Sequence, residues 1–294
     1  MLIARLIAEP DQLNTRVEAA QAAATERGVR FASAAMLDFC GKTMEIASPD
    51  DDALALREVL DTCFAPSDGL VCIDEPVVPS VFISDMDSTM IGQECIDELA
   101  DFAGLKPQIA AITERAMQGE LDFEAALRER VGLLEGLSET AIDDCLSERI
   151  RPVEGARTLV ATLRAHGCRT VLVTGGFHHF ADPVAAMLGF ERVVGNRLEV
   201  ADGKLTGGLV GPITDSAVKK ATLIAELEAF GDHATSLATG DGANDIPMLE
   251  AATYGIAYKA KPRARAAANG WIDRGDLTSV LRLLGIRERD WVEG

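Results

Sequence analysis

The spacing of apolar and polar residues divides the chain into two parts, and the first is a small α+β unit. Short apolar runs typical of strands alternate with two segments in which apolar residues recur at helical spacing. The predicted elements are, in chain order, a strand at 2–8, a helix at 10–27, strands at 29–37 and 43–48, a helix at 50–64 and a strand at 70–73. The order β-α-β-β-α-β is the ferredoxin-like arrangement. Pro76 and Pro79 mark the exit, and we predict a first domain over residues 1–76.

After this unit the pattern changes to short apolar runs that alternate with amphipathic helices. The run at 81–83 has the character of a buried strand, and a long helical stretch from 94 to 151 separates it from the next strand at 170–173. The later alternation favours an α/β fold, in which a doubly wound parallel sheet carries helices on both faces. We predict a second domain over residues 77–294, with a helical cap inserted at about 92–152.

Composition supports a folded protein and disfavours a membrane partner. Of 294 residues, 48% are hydrophobic and 5% aromatic, so the chain can bury a large core that is rich in aliphatic side chains. No apolar run free of charges approaches the roughly 18 residues that a membrane-spanning helix needs, and the N-terminal residues lack the apolar centre of a signal peptide. The six cysteines are widely spaced without a C-x-x-C pair, which predicts reduced thiols and a cytoplasmic location.

The charge balance disfavours nucleic acid as a partner. The formal net charge is −19, and such a chain repels a phosphate backbone. The acidic chain contains one short basic run, which consists of Lys259, Lys261, Arg263 and Arg265. Because no aromatic residue interleaves it, we interpret this run as a solvated loop.

Polar and glycine-rich turns follow three of the predicted strands. D-M-D-S-T at 85–89 follows the first strand of the second part, T-G-G at 174–176 follows the next, and G-D-G-A-N-D at 240–245 follows a strand at 236–239. Ligands of doubly wound sheets bind at the carboxyl ends of the strands. A single acidic turn is usually a solvated one, but three such turns in succession predict a shared site.

The residue types in these turns indicate phosphoryl transfer at a divalent cation. Asp85 and Asp241 offer the hard oxygen ligands that Mg²⁺ prefers, and the cation would reduce the repulsion between a carboxylate and a phosphate. Lys219 supplies a positive charge for the developing negative charge. Asp87 can act first as a general acid and then as a base for water. Main-chain N–H groups of the turns can hold the phosphate oxygens.

Together the three turns and Lys219 resemble the haloacid dehalogenase superfamily of phosphatases, for which D-x-D-S-T with G-D-G-x-N-D is the specific pair. Motifs in the cap segment narrow the resemblance to the phosphoserine phosphatases. They occur in that family's order and at similar spacing: Glu94, A-M-Q-G at 116–119, L-D-F at 121–123 and L-R-E-R-V at 127–131. The resemblance extends from about residue 81 to residue 284 and leaves the N-terminal unit outside.

This resemblance implies a covalent mechanism with Mg²⁺ as the cofactor. Asp85 would be the nucleophile that becomes an aspartyl phosphate, and Asp87 would be the acid–base residue. The carboxylates of Asp85 and Asp241 and the main-chain carbonyl of Asp87 would bind Mg²⁺, with Asp245 adjacent or in contact with these ligands.

The resemblance also assigns the contacts to the substrate. The residues implied to bind the phosphate are Thr174, Gly175, Lys219 and Asn244. In the cap, Glu94 would face the substrate ammonium group and Arg130 its carboxylate, while Met117 and Phe123 would form the walls of the pocket.

The implied activity is hydrolysis of the small phosphomonoester O-phospho-L-serine to L-serine and phosphate, the last step of serine biosynthesis. Two alternatives would use nearly the same residues: a phosphotransferase that passes the phosphoryl group to a small alcohol such as homoserine, and a phosphatase for another small phosphomonoester. Asp87 and the cap argue against a signalling module that is phosphorylated without turnover. The N-terminal unit is ACT-like by architectural analogy. The sequence leaves two roles open for this unit, which are ligand binding and dimerisation. The second role would make the protein a homodimer.

Overall fold

The N-terminal unit is an antiparallel sheet with two helices. The structure is a computed structural model that describes residues 1–7, 13–37, 40, 42–117 and 120–294. The elements of the unit are β1 (Leu2–Ile7), α1 (Leu13–Glu26), β2 (Ser33–Met36), β3 (Thr43–Ser48), α2 (Ala53–Phe64) and β4 (Asp68–Ile73). Residues 10–12 of the predicted first helix lie outside the described residues. The strands lie in the spatial order β2-β3-β1-β4, and each pairs with its neighbour in an antiparallel direction.

Helices α1 and α2 cover one face of these strands and close a small apolar core. Leu6 of β1, Ile46 of β3 and Phe64 of α2 are completely buried in it. Alternation along the strands brings these side chains to the same face. Helix α2 begins where the carboxylate of Asp52 accepts a hydrogen bond from the N–H of Ala55 at 2.9 Å, which satisfies one free donor of the first turn.

Strands and helices alternate in the second part, as the sequence pattern predicts. Its strands are β5 (Val81–Ser84), β6 (Arg169–Phe177), β7 (Arg192–Ala201), β8 (Lys204–Val210), β9 (Ser236–Gly240), β10 (Tyr254–Tyr258) and β11 (Gly270–Ile272). Its helices are α3 (Cys95–Phe102), α4 (Lys106–Met117), α5 (Phe123–Gly132), α6 (Thr140–Arg149), α7 (Ala156–Ala165), α8 (His178–Leu188), α9 (Ser216–Glu228), α10 (Ile246–Ala251), α11 (Pro262–Ala267) and α12 (Thr278–Leu283). Within the described ranges, none of the helices is both long and apolar enough to cross a membrane.

The strands of the described chain join into one eleven-stranded sheet. Their spatial order is β2-β3-β1-β4-β11-β10-β9-β5-β6-β7-β8. From β11 to β7 the neighbours run parallel, as expected. The hairpin partner β8 and the four N-terminal strands run antiparallel. The sheet is therefore mixed, whereas the sequence pattern predicts a parallel one.

A three-residue strand that the sequence pattern does not predict connects the two parts of the chain. β11 pairs with β10 on one side and with β4 on the other, so that Ile272 lies opposite Asp68. The Trp271 side chain is completely buried in the N-terminal core. It packs so closely on Gly69 that a Cβ atom there would lie 2.4 Å from the ring. Strands β1 to β4 thus continue the sheet of the second part.

Helices α3 to α6 form the segment that we expect to act as a cap. The segment leaves and rejoins the rest of the second part at an antiparallel bridge between Ile91 and Pro152. Beside this bridge, the N–H of Gly92 donates to the carbonyl oxygen of Arg151 at 3.2 Å. Because β5 ends just before the segment begins, the cap is anchored next to the carboxyl ends of the parallel strands.

Candidate active site

Three of the predicted turns meet in one cavity beneath the cap. β9, β5 and β6 are parallel neighbours, so their carboxyl ends lie side by side. The N–H of Asp85 donates to the carbonyl oxygen of Thr239 at 2.9 Å, which joins the turn after β5 to β9. The cavity has a volume of about 450 Å³. The residues predicted from the sequence that line it are Asp85, Asp87, Glu94, Phe123, Arg130, Thr174, Gly175, Asp241 and Asn244.

Lys219 and Asp245 were predicted for the same site and are buried next to it. Both side chains contact each other, and Lys219 also contacts Asp85, a lining residue. The Met117 side chain and residues 118–119 of the A-M-Q-G motif lie outside what the structure describes. Further lining residues, to which the sequence assigns no individual role in the site, are Ile96, Thr113, Leu127, Gly176, Phe177, Ala243 and Lys261.

The ammonium group of Lys219 holds two carboxylates together in the interior. Lys219 lies in the first turn of α9, which the carboxylate of Asp215 caps. Its Nζ atom is 2.8 Å from Oδ1 of Asp85 and 2.7 Å from Oδ1 of Asp245. Burial lowers the pKa of Lys219, but the two carboxylates more than offset this effect and raise the pKa above its ordinary value. The side chain therefore stays charged although it is buried.

Three buried carboxylates form an acidic cluster suited to a metal ion. Asp85, Asp241 and Asp245 each offer an oxygen atom, and these atoms lie within 4.8 Å of one another. Burial, reinforced by the charge of Asp245, raises the pKa of Asp85 well above its usual range. Lys219 contacts two of the three carboxylates and Lys261 contacts the third, so two positive charges face three negative ones and the cluster favours an added cation. Its donors are all oxygen atoms, which fits a hard divalent ion such as Mg²⁺.

Gly240 allows Asp245 to approach the turn after β9. Oδ2 of Asp245 accepts hydrogen bonds from the N–H groups of Asp241 at 3.2 Å and of Gly242 at 3.0 Å. A Cβ atom at Gly240 would lie 2.5 Å from Cγ of Asp245, a distance that the packing does not permit. The G-D-G-A-N-D sequence therefore holds Asp241 and Asp245 in a fixed relation.

Asp87 reaches the cavity from the turn after β5. Its Oδ1 atom is buried and has no hydrogen-bond partner in the described part of the chain. Burial, followed by the charge of Glu94, raises the pKa of Asp87 to about 7. A carboxyl group with such a pKa can both hold and release a proton near neutral pH, which is what a general acid–base group requires.

A buried asparagine supports the T-G-G turn, and the sequence analysis missed it. The amide Nδ2 of Asn196 donates to the carbonyl oxygen of Gly175 at 2.7 Å, and its Oδ1 accepts from the N–H of Thr214 at 2.8 Å. Within the turn, Oγ1 of Thr174 accepts from the N–H of Gly176 at 2.9 Å. Asn196 lies within β7 and belongs to none of the three predicted turns, so no motif in the sequence marks it.

The cap wall carries charges of opposite sign. Glu94 precedes the first turn of α3, and its Oε1 accepts a hydrogen bond from the hydroxyl of Ser88 at 2.8 Å. Arg130 lies on α5, and burial lowers the pKa of its guanidinium although Asp97 and Glu94 oppose the shift. These groups can recognise a small molecule that carries both an ammonium and a carboxylate group.

Phe123, at the start of α5, brings the cap into contact with the T-G-G turn. A Cβ atom at Gly175 would lie 3.3 Å from Cζ of its ring, so the glycine makes room for this aromatic side chain. The ring is 40% exposed. One part of the ring therefore contacts the core, and its exposed part faces the cavity.

Lys261 lines the cavity, although the sequence pattern places it in a solvated loop. The prediction is wrong in part, because residues 262–267 form α11 and Lys261 immediately precedes it. Its N–H donates to the carbonyl oxygen of Asp241 at 2.9 Å, and its Nζ lies 3.4 Å from Oδ2 of the same residue. A signal was available, since β10 runs parallel to β9 and the residues that follow it reach the same edge of the sheet.

Comparisons with known proteins agree with this geometry. A family model for haloacid dehalogenase-like hydrolases matches residues 82–250. The phosphoserine phosphatase of Haemophilus influenzae is 41% identical over 210 residues, which represent 71% of this chain and 67% of that protein.

Two solved structures extend the similarity. A HAD family hydrolase from Salmonella enterica serovar Typhi has a TM-score of 0.81 and 29% identity, over 97% of this chain and 99% of that one. A substrate-bound phosphoserine phosphatase has a TM-score of 0.63 and 35% identity, over 71% of this chain and 98% of that one. The family model spans more than half of the chain, and this protein belongs to the haloacid dehalogenase-like hydrolases.

Proposed function

We propose that this hydrolase converts O-phospho-L-serine to L-serine and phosphate through an aspartyl phosphate. One observation carries the proposal: a single cavity of about 450 Å³ is lined by Asp85 and Asp241 of the core and by Glu94 and Arg130 of the cap. The core residues suit phosphoryl transfer, and the cap residues match the two charged groups of a small amino acid. The names of the Haemophilus influenzae relative and of the substrate-bound structure support the same substrate.

The nucleophile in this proposal is the carboxylate of Asp85. An oxygen of Asp85 forms a bond to phosphorus, the bond between phosphorus and the serine oxygen breaks, and Asp87 donates a proton to that oxygen. Asp87 then takes a proton from water as the water oxygen attacks phosphorus. The bond between Asp85 and phosphorus breaks, which releases phosphate and restores the carboxylate. The pKa of about 7 for Asp87 suits both proton transfers.

The groups that bind the phosphate come from the core. They are Thr174, Gly175, Lys219 and Asn244. Lys219 keeps its charge while buried, so it can stabilise negative charge that develops on the phosphoryl group.

Mg²⁺ is the cofactor that the acidic cluster would take. Its ligands would be the carboxylates of Asp85 and Asp241 and the main-chain carbonyl of Asp87, with Asp245 beside them. When bound, Mg²⁺ neutralises negative charge on the phosphate and on the carboxylates that surround it.

The cap provides the specificity for serine. Glu94 pairs with the substrate ammonium group and Arg130 with its carboxylate, because a guanidinium suits a planar carboxylate. Phe123 supplies an apolar wall, and the family resemblance assigns the same part to Met117. The dimensions of the cavity select a small phosphomonoester over a phosphoprotein.

The N-terminal unit over residues 1–76 is, in this proposal, a ferredoxin-like domain of the ACT-like type. The spatial order of its strands, β2-β3-β1-β4, supports the ferredoxin-like assignment. The six cysteines are free, which supports a reducing compartment such as the cytoplasm. A homodimer stays a prediction.

A phosphate-release screen tests the proposal. O-phosphoserine, phosphothreonine, phosphoethanolamine and a sugar phosphate are compared after EDTA treatment, with and without added Mg²⁺. We expect Mg²⁺-dependent release with a clear preference for O-phosphoserine, and a preference for the sugar phosphate would contradict the role of the cap. Addition of homoserine separates hydrolysis from transfer, because a transferase would form phosphohomoserine at the expense of free phosphate.

A further inference from the structure

Lys261 and Arg130 are the two cations among the described residues that line the cavity. Arg130 belongs to the cap, so Lys261 is the cation on the core side. The charge of Lys219 is already matched by two carboxylates at 2.8 and 2.7 Å, and that side chain is 1% exposed. An anion that enters the cavity from solvent therefore meets Lys261 before it meets Lys219.

The position of Lys261 lies next to the predicted place of the phosphate. Its Nζ atom is 3.4 Å from Oδ2 of Asp241, and its side chain is 70% exposed. Asn244, which the proposed function assigns to the phosphate, lines the same cavity. A lysine with a fixed main chain and an exposed ammonium group can move from Asp241 to a phosphate oxygen bound beside it.

Helix α11, which follows Lys261, is held by the N-terminal unit. Arg57 of α2 is 8% exposed, and its guanidinium donates hydrogen bonds to three carbonyl oxygens at the carboxyl end of α11. These oxygens belong to Arg265, Ala266 and Ala268. Such carbonyl groups lack partners within a helix and carry its negative end, so a buried cation fixes the helix there.

A second contact between the same two helices strengthens the link. Nη2 of Arg265 lies 2.7 Å from Oδ1 of Asp61 on α2. The guanidinium groups of Arg265 and Arg57 lie 4.4 and 5.1 Å from the centroid of the Trp271 ring. The N–H of Arg265 donates to the carbonyl oxygen of Lys261 at 3.0 Å, so one helical turn connects this contact to the cavity.

We infer that Lys261 binds the phosphate of the substrate at the mouth of the cavity, and that the N-terminal unit positions Lys261 through the contacts of α2 with α11. The inference rests on the proposed function in one respect, which is that a phosphate group binds in the cavity. It does not depend on whether the rest of the substrate is serine. The N-terminal unit would thus support the active site without supplying a side chain to it.

Inorganic phosphate, a reaction product, is the probe for the first part. We expect Lys261→Met to raise the Ki for inorganic phosphate and the KM for O-phosphoserine by about tenfold each, since one charge-assisted hydrogen bond is lost. The KM for phosphoethanolamine, which has the phosphate but no carboxylate, should rise by the same factor. Lys261→Arg should keep most of the affinity. An unchanged Ki, or a loss confined to O-phosphoserine, would overturn the assignment to the phosphate.

The readout separates this inference from the proposed function. If the wild-type enzyme does not hydrolyse O-phosphoserine, the proposed substrate fails. The Ki for inorganic phosphate can still be measured with p-nitrophenyl phosphate or any phosphomonoester that the enzyme turns over. Lys261 is then tested on its own.

A double-mutant cycle tests the positioning role. We expect Arg57→Ala to raise the Ki for inorganic phosphate severalfold, and to have no further effect when combined with Lys261→Met. Asp61→Asn, which leaves the apolar core of α2 intact, should give a smaller rise of the same kind. The matched control is Asp50→Ala, which breaks the Arg30–Asp50 ion pair elsewhere in the N-terminal unit and should leave the Ki unchanged.

The Ki values of the cycle are compared only among variants that fold. Thermal unfolding identifies a variant that fails to fold, and Asp61→Asn then replaces Arg57→Ala in the cycle. Additive effects in the double variant, or an unchanged Ki in both folded single variants, would overturn the link between the N-terminal unit and Lys261.

Discussion

Nζ of Lys219 lies 2.7 Å from Oδ1 of Asp245, and neither side chain is more than 1% exposed. The same nitrogen reaches Asp85 at 2.8 Å. One buried ammonium group therefore separates two carboxylates that would otherwise repel each other. Removal of one member of a buried ion pair leaves the other charge without compensation. Lys219 is for this reason a determinant of stability as well as a part of the site.

Lys219→Met should destabilise the metal-free protein. We expect the free energy of unfolding in EDTA to fall by about 3–5 kcal/mol, because two buried carboxylates lose their cation. Urea denaturation measures the change. The matched control is Lys220→Met, since Lys220 is the exposed next residue of α9 and should change stability by less than about 0.5 kcal/mol. Equal effects of the two variants would show that the buried contacts of Lys219 carry no special stability.

Asp85→Asn should abolish turnover. The amide has nearly the same shape as the carboxylate but is a poor nucleophile and a weaker metal ligand. Phosphate release from O-phosphoserine measures the effect, and circular dichroism checks that the variant is folded. Activity within tenfold of the wild type would exclude a covalent intermediate on Asp85.

Asp87→Asn should slow turnover without removing the nucleophile. We expect a loss of roughly 10²- to 10⁴-fold in kcat, the usual contribution of general acid–base catalysis. The measurement is made at saturating Mg²⁺ so that a change in metal affinity does not contribute. An unchanged kcat would assign the proton transfers to another group.

Arg130→Ala should change specificity more than chemistry. In O-phosphoserine the variant loses the partner of the substrate carboxylate, and we expect kcat/KM to fall by a factor that corresponds to about 2–4 kcal/mol. Phosphoethanolamine lacks that carboxylate and should be affected far less. The ratio of the two kcat/KM values is the measurement. Equal losses would instead place Arg130 in cap folding or phosphate binding.

Asp68→Ala should destabilise the junction between β4 and β11. The Asp68 carboxylate is 2% exposed. It accepts hydrogen bonds from the N–H groups of residues 273, 274 and 275 and from the hydroxyl of Ser279. We expect a loss of about 1–3 kcal/mol in urea denaturation, because the buried hydroxyl of Ser279 and three partly buried N–H groups lose their acceptor. Asp50→Ala, at the Arg30–Asp50 surface ion pair, is the control and should cost far less.

The sequence predicts those site residues that lie at the carboxyl ends of the parallel strands. Asp85 and Asp241 each follow a parallel strand, and Thr174 lies near the carboxyl end of β6, where the pairing with β7 is interrupted. The fold brings such positions to one edge of the sheet whatever the loop details. Lys219 could be added because the motifs of the family carry a lysine between the second and third turn. The contact of Lys219 with Asp245 could not be predicted, since it depends on how α9 packs beneath the sheet.

Short elements escaped prediction because tertiary contacts stabilise them. β11 has three residues and pairs with β4, a strand about 200 positions earlier in the chain, so no local pattern marks it. Helix α11 is six residues long and depends on Arg57 to satisfy its carboxyl end. The sequence places Lys261 in a solvated loop for the same reason, because its position in the cavity depends on the helix that follows it.

The pairing of β4 with β11 also limits how the N-terminal unit can be exchanged. A chain cut after residue 76 would leave β11 as an open sheet edge and the large indole of Trp271 in water, a combination that invites self-association. The unit is thus no detachable module on a linker. The substrate-bound phosphatase matches 71% of this chain with 98% of its own. A relative of that size that lacks these strands has to protect the corresponding edge of its sheet by other means.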